Sequence, residues 1–125
     1  YLNEAILHYN ALILKHKEPS VVFNAKRSVV ICYMAFKQWN KALDILSEIL
    51  MKFPETKYLN AQRADKIISS INMIAITKLK NYDLPIGIYQ DFVNKYPKHP
   101  YRNALEAMIK SLKLLKEKNV DLTTK

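Results

Sequence analysis

The chain has 125 residues, half of them hydrophobic, which is enough for one domain with its own apolar core. A single glycine argues against a turn-rich all-β fold, and a single cysteine, Cys32, excludes an internal disulfide. The net charge of +9 favours acidic partners, nucleic acid or an anionic membrane surface. No apolar stretch is long enough for a transmembrane helix. Because the sequence starts at Tyr1, we expect it to be a piece of a longer protein.

Apolar periodicity, together with capping and helix-breaking residues, predicts six helices, of which three lie in the N-terminal half. The first is predicted over residues 2–17 and is broken by Pro19. The second, over residues 21–36, is apolar nearly all round, so we expect it to lie between two neighbouring helices. The third is predicted to start after Asn40, a good N-cap residue, and to end near Phe53.

The C-terminal half is predicted to hold the other three helices. The fourth is the longest, over residues 57–80, and its isoleucine-rich middle indicates a central, almost fully buried segment. The fifth opens with Asp83 as its expected N-cap, and the sixth opens at Pro100 with lysines along its outer face. We therefore expect a helical domain over residues 1–118, followed by a frayed tail at 119–125.

A phrase of sequence occurs twice, 43 residues apart, at 37–54 and at 80–97. Each copy reads as an aromatic residue, a small capping residue, an amphipathic helix and an aromatic–proline stop. A repeated helical unit cannot bury its apolar face alone, so the pattern predicts a stacked α-solenoid. The first helix aligns as a half copy, so the chain is expected to begin mid-repeat. The aligned positions are Ala5, Ala42 and Pro85, then Tyr9, Leu46 and Tyr89, then Leu12, Ile49 and Phe92.

The second unit resembles the tetratricopeptide repeat, because Tyr33, Ala42, Leu46 and Pro54 fall where that family places its aromatic, small, bulky and proline residues. The resemblance covers about residues 33–115. It implies an all-α solenoid of about six antiparallel helices, or about two and a half helix-turn-helix repeats. The repeat period here is longer than the family's 34 residues. In the third unit Ile76, Tyr89 and Pro97 match the pattern, while Pro85 replaces the usual small residue.

The joint after each stop carries a narrower resemblance. Residues 53–61 and 96–104 share one spacing of aromatic–proline, tyrosine and alanine. Such joints are similar to those of tetratricopeptide proteins of the bacterial cell envelope. That group includes the lipoprotein subunit of the outer-membrane β-barrel assembly machine and the periplasmic cell-division coordinator of the Tol–Pal system. The resemblance implies a cell-envelope or periplasmic location, with a membrane-associated parent protein, and leaves the cytoplasm as the alternative.

The sequence offers little for catalysis. His8, His16 and His99 have no acidic or cysteine companion at metal-ligand spacing, and Cys32 lies in an apolar stretch typical of a buried residue. Neither a glycine-rich phosphate loop nor an H-E-x-x-H motif occurs. We therefore predict a protein that is not an enzyme, with no cofactor, no metal and no small-molecule substrate.

Two surfaces are predicted to bind another protein, either a helix or an extended peptide. In the tetratricopeptide family the first helix of each unit lines the concave face. The matching positions here are Asn24, Arg27, Ile31, Met34, Asn60 and Arg63, with Asn103 and Glu106 in the sixth helix. The alternative to partner binding for the polar residues of this set is a role as helix caps or as solvated side chains. The second surface is the apolar face of the first helix, which we expect to lack a cover: Tyr1, Leu2, Ile6, Tyr9 and Ile13.

The competing hypothesis is a cytoplasmic adaptor or a nucleic-acid-associated protein that uses its basic surface. Such a role needs lysines interleaved with aromatic rings. The candidate basic residues are Lys26, Arg27, Lys37, Lys41 and Lys52, and the candidate rings are Tyr58, Tyr82 and Tyr101. Packing at the repeat joints is the other explanation for these tyrosines.

Overall fold

A computed structural model describes residues 2–15, 18–52 and 60–124, and the side chains of these residues except Leu2 and 120–124. Within these ranges all regular structure is helical, which confirms the predicted all-α class. Six α-helices follow one another, and the fourth continues directly into a π-helix. They are α1 (Leu2–Lys15), α2 (Pro19–Ala35), α3 (Trp39–Met51), α4 (Ala61–Asn72) with the π-helix Met73–Lys78, α5 (Asp83–Lys95) and α6 (Arg102–Thr124).

Three helices begin one or two residues earlier than the sequence predicted. The first of them, α2, begins at Pro19, two residues before the predicted start at residue 21. The first residue of α3 is Trp39, so Asn40 lies inside the first turn and is not its N-cap. Asp83 is likewise the first residue of α5 rather than its cap. The N-cap of α5 is Tyr82, whose side chain makes no capping hydrogen bond, and the amide oxygen of Asn81 accepts a hydrogen bond from the Asp83 N–H at 2.9 Å.

Further differences lie at the ends of α4 and α6, and α6 begins at Arg102 rather than at Pro100. Residues 57–59, where α4 was expected to start, lie outside the described ranges, and the N-cap of α4 is Asn60. The last helix runs on to Thr124, so helical backbone extends through the segment predicted as a frayed tail. Lys116 bonds to Asp83 and Asn119 bonds to Tyr82, so α6 is held beside the start of α5 as far as residue 119.

A single apolar core runs from α2 to α6. Several positions that align between the two copies of the repeated phrase are buried in both copies. Each fully buried large apolar side chain contributes about 1.5–3 kcal/mol to folding. The fully or almost fully buried pairs are Ala42 with Pro85, Leu46 with Tyr89, and Ile49 with Phe92. A smaller cluster of Ile6, Val29 and Cys32 joins α1 to α2.

Helices contact mainly their neighbours along the chain. As predicted, α2 lies between α1 and α3. The third helix has the most neighbours, because it packs against α2, α4, the π-helix and α5. The fifth helix packs against α6. This order places one face of α2 and the turn before α3 at the surface.

The turns that precede α3 and α5 share one unusual backbone feature. Lys37 and Lys80 have φ angles of 60° and 55°, in the left-handed region that favours glycine. At the first turn, the N–H of Lys37 donates to the Met34 carbonyl and the N–H of Gln38 to the Tyr33 carbonyl, both at 2.9 Å. This pair of bonds is a Schellman cap.

At the second turn the closing hydrogen bond spans one residue more. The N–H of Asn81 donates to the Ala75 carbonyl at 2.9 Å, because the preceding turn is π-helical and contains an extra residue. The wider turn still leaves Ile74 and Ala75 completely buried. Both repeats therefore reverse direction at an equivalent lysine, even though the helices that lead into the turns differ.

A buried hydroxyl ties α5 to the end of α4. Tyr89 is fully buried, and its hydroxyl donates to Oδ1 of Asn72 at 2.6 Å, with the Ile68 carbonyl oxygen 3.3 Å away. Burial raises the pKa of Tyr89 far above its usual value, so the hydroxyl stays protonated. The amide nitrogen of Asn72 lies 3.6 Å from the sulfur of Met108, which extends the contact to α6.

Lys37→Gly and Lys80→Gly are each expected to raise the free energy of unfolding by roughly 0.5–1 kcal/mol. Glycine removes the Cβ strain of the left-handed conformation, and its greater freedom in the unfolded chain offsets part of that gain. Urea denaturation measures the change. The matched control is Lys110→Gly in the exposed middle of α6, which should destabilise by about 1 kcal/mol. A loss of stability at both turns would contradict this explanation.

Tyr89→Phe is expected to lower the free energy of unfolding by about 1–2 kcal/mol, because Oδ1 of Asn72 loses its buried donor. Tyr96→Phe is the control, since the Tyr96 hydroxyl donates to the Met51 carbonyl at 2.9 Å in a less buried setting. That variant should cost less than Tyr89→Phe in the same denaturation experiment. Equal costs would show that the buried hydroxyl has no special role.

Candidate functional site

The outward face of α2 carries the best-formed part of the predicted binding surface. Asn24, Arg27 and Ile31 are all exposed and share one side of the helix. Ile31 is 63% exposed, which is unusual for so large an apolar side chain. The Arg27 guanidinium carbon lies 5.8 Å from the centre of the Phe23 ring, which orients this charge against the helix. Met34, the fourth predicted residue, turns inward and packs against the core.

The other polar residues predicted on this surface have structural contacts. Oδ1 of Asn60 accepts a hydrogen bond from the backbone N–H of Arg63 at 2.9 Å, so this side chain caps α4. Glu106 accepts a hydrogen bond from Nε of Arg102 at 2.8 Å. Arg63 is half-buried, whereas Asn103 is exposed. Of the predicted concave surface, the α2 face is therefore the part that offers both exposed charge and exposed apolar area.

At Ile6 and Tyr9, the predicted apolar face of α1 packs within the chain. Ile6 is only 8% exposed and packs with Val29 of α2, while Tyr9 packs at the edge of the same cluster. The expectation of an uncovered surface is therefore wrong at Ile6, because α2 itself supplies the cover. Ile13 is half-buried; Tyr1 and the side chain of Leu2 lie outside the described residues.

Two other leucines form the exposed apolar side of α1. Leu7 is 70% exposed and Leu14 is 87% exposed, and a spacing of seven residues places them on the same side of the helix. Sequence reasoning missed this pair because it assigned the larger apolar stripe of α1 to the surface. The seven-residue spacing of Leu7 and Leu14 was the signal in the sequence that could have revealed this pair.

One lysine of the expected basic surface is buried. Lys26 is 7% exposed, and its Nζ lies 2.6 Å from Oε1 of Glu48, which joins α2 to α3. The ammonium of Lys52 lies 3.8 Å from the same carboxylate oxygen. The hydrogen bond from Lys26, together with the two positive charges, lowers the pKa of Glu48 despite partial burial. Lys26 therefore belongs to the helix interface and not to a nucleic-acid surface.

The tyrosines proposed for base stacking are likewise engaged in packing. The Tyr101 hydroxyl donates to a carboxylate oxygen of Asp65, and burial together with this carboxylate raises the pKa of Tyr101. The Tyr82 hydroxyl accepts a hydrogen bond from the Asn119 amide at 2.7 Å. Tyr58 lies outside the described residues. These contacts indicate that Tyr82 and Tyr101 hold the repeat joints together.

A surface depression of about 380 Å³ lies at the turn before α3. Trp39 lines the depression and packs partly against the core, and the Lys78 ammonium lies 5.3 Å from the centre of the indole ring. Sequence reasoning treated this tryptophan only as the start of a repeated phrase. The depression is lined by Lys37, Gln38, Trp39, Asn40, Lys41 and Leu79.

Among the described residues, no histidine, cysteine and carboxylate side chains are grouped so that they could hold a metal ion. His99 has a local role, since its Nδ1 accepts the Tyr101 backbone N–H at 3.1 Å. Within the same ranges no helix is long and apolar enough to cross a membrane.

No protein-family model, curated protein or solved structure matches the chain. The functional inference therefore rests on the surfaces described above.

Glu48→Gln is expected to destabilise the fold at pH 7 by on the order of 1 kcal/mol, because Lys26 loses its charged partner. The folded-state pKa of Glu48 lies below its ordinary value of 4.5. Ionised Glu48 therefore stabilises the fold above that value, and this stability is lost as the pH falls through the folded-state pKa.

Urea denaturation at pH 7 and through the acidic range tests this direction of the change in stability with pH. The difference between the wild type and Glu48→Gln should shrink as the pH falls. Glu117→Gln, at an exposed position of α6, should show almost no difference at either pH. A difference between the wild type and Glu48→Gln that does not change with pH would contradict the linkage.

Proposed function

We propose that this chain is a non-enzymatic scaffold that binds another protein through the outward face of α2. The observation that carries the proposal is the placement of exposed Ile31 beside Arg27 and Asn24. An apolar side chain next to a guanidinium and an amide fits a peptide segment with an apolar residue near a carboxylate. The guanidinium can pair with that carboxylate through two hydrogen bonds, and a helix or an extended strand can supply both groups.

The proposal includes stacking of the helices as a tetratricopeptide-like solenoid of about two and a half repeats. Three features support it: the equivalent left-handed lysines, the burial of aligned positions, and the contacts of α3 with both its own and the following unit. Solenoids present extended binding faces because each unit contacts only its neighbours. In such an arrangement α2, α4 and α6 would line one side.

We place this scaffold in a bacterial cell-envelope complex, on the strength of the repeat joints. In the second joint, Tyr96 bonds to the Met51 carbonyl and Tyr101 bonds to Asp65. Both bonds connect neighbouring units, which gives a physical reason for aromatic residues at this spacing. Binding of nucleic acid in the cytoplasm is the competing function, and the burial of Lys26 together with the engagement of Tyr82 weighs against it.

Ile31→Asp and Arg27→Glu are each expected to weaken capture of the partner by at least about tenfold, as truncation of central interface residues does. The measurement is an affinity pull-down from the native organism, quantified by mass spectrometry. Leu7→Asp and Lys110→Glu are matched controls at exposed positions of other helices, and they should retain the partner. Retention by both α2 variants would exclude this surface.

The salt dependence of the captured complex separates the two functions. Binding through apolar contacts should persist from low to moderate salt, whereas binding through phosphates should fall steeply over that range. Capture of nucleic acid that is lost at moderate salt would replace the scaffold proposal with the competing one.

A further inference from the structure

A carboxylate that is present at the later repeat turn is replaced at the earlier one. In the repeat alignment Trp39 and Asn40 correspond to Tyr82 and Asp83. At the later turn, Oδ1 of Asp83 accepts a hydrogen bond from Nζ of Lys116 at 2.7 Å. At the earlier turn an uncharged amide replaces this carboxylate. The equivalent backbone position therefore carries no negative charge of its own.

The earlier turn is nevertheless the more basic of the two. Lys37 and Lys41 line the depression beside Trp39, and no carboxylate is among its described lining residues. The ammonium of Lys78 approaches the same turn, over the indole ring. Positive charge thus collects at a place where the next repeat provides a carboxylate to neutralise it. In the partly apolar depression, an added carboxylate would be attracted to these lysines.

We propose that the Trp39 depression binds the side-chain carboxylate of an acidic peptide segment, which supplies beside Asn40 the negative charge that Asp83 supplies in the next repeat. Lys37 and Lys41 supply the charged donors, and Trp39 and Leu79 contact the apolar part of the segment. This adds a second binding surface to the scaffold and does not depend on the α2 face. The ligand is an acidic segment of a protein, since the equivalent turn accommodates an aspartate.

The chain contains a single tryptophan, so the emission of Trp39 reports on this site alone. The full chain is titrated at low salt with a hexaglutamate peptide whose C-terminus is amidated. Hexaglutamine and a hexathymidylate oligonucleotide serve as comparison probes. The expected result is a saturable change in Trp39 emission with hexaglutamate and none with hexaglutamine.

Asn40→Asp restores the missing carboxylate within the chain, and it is expected to weaken hexaglutamate binding by about tenfold or more. A carboxylate in the first turn of α3 is favoured by the helix dipole, so this variant should fold, which thermal denaturation verifies. The matched control Asn103→Asp makes the same charge change at an exposed position of α6 and should weaken binding by less than about twofold.

Three results would overturn the inference. The first is the absence of saturable emission change with hexaglutamate. The second is equal weakening by Asn40→Asp and Asn103→Asp, which would reflect net charge alone. The third is binding of hexathymidylate at Trp39 as tight as that of hexaglutamate, which would assign the depression to nucleic acid. Each of these results is independent of the pull-down with the α2 variants, so the two proposals can fail separately.

Discussion

The close packing of α3 against its neighbours is the constraint on which the rest of the structure depends. Ala42 and Ala64 are completely buried where α3 meets adjoining helices, and their small side chains allow the backbones to approach. Larger side chains such as Leu50 and Ile71 then fill the space between helices without exposure. Because this core is continuous from α2 to α6, it fixes which face of each helix reaches the surface.

A fixed core also determines where the chain must reverse. Each repeat turns at a lysine in the left-handed conformation, although neither turn contains glycine. The π-helix before Lys80 widens one turn of backbone while the side chains of Ile74 and Ala75 stay buried, so packing takes precedence over regular hydrogen bonding. The backbone of the turn is thus set by the core. Its side chains are exposed enough to differ between the repeats.

The all-α class, the central place of α2 and the paired buried positions could be predicted because apolar periodicity is a local signal. The start of α3 could not be predicted, because the turn before it is made by Lys37 in the left-handed conformation and no glycine in the sequence marks that turn. Burial of Lys26 depends on Glu48, 22 residues away, and only the tertiary structure brings the two together. The same is true of Ile6, whose cover comes from α2. The exposed Ile31 was predicted from the resemblance to the tetratricopeptide repeat, whereas the Trp39 depression requires two separate segments, residues 37–41 and Leu79.

Net positive charge alone is weak grounds for assigning a binding site, because exposed lysines are normally solvated and contribute little. In this chain several lysines already have contacts: Lys26 pairs with Glu48, and Lys116 pairs with Asp83. The comparison of the two turns is more discriminating than a charge count, since both turns reverse the chain at a lysine in the left-handed conformation but differ in charge at the start of the following helix. Asp83 pairs with Lys116, whereas Asn40 adds no charge beside Lys37 and Lys41, so the carboxylate proposed to bind at this turn would come from another molecule.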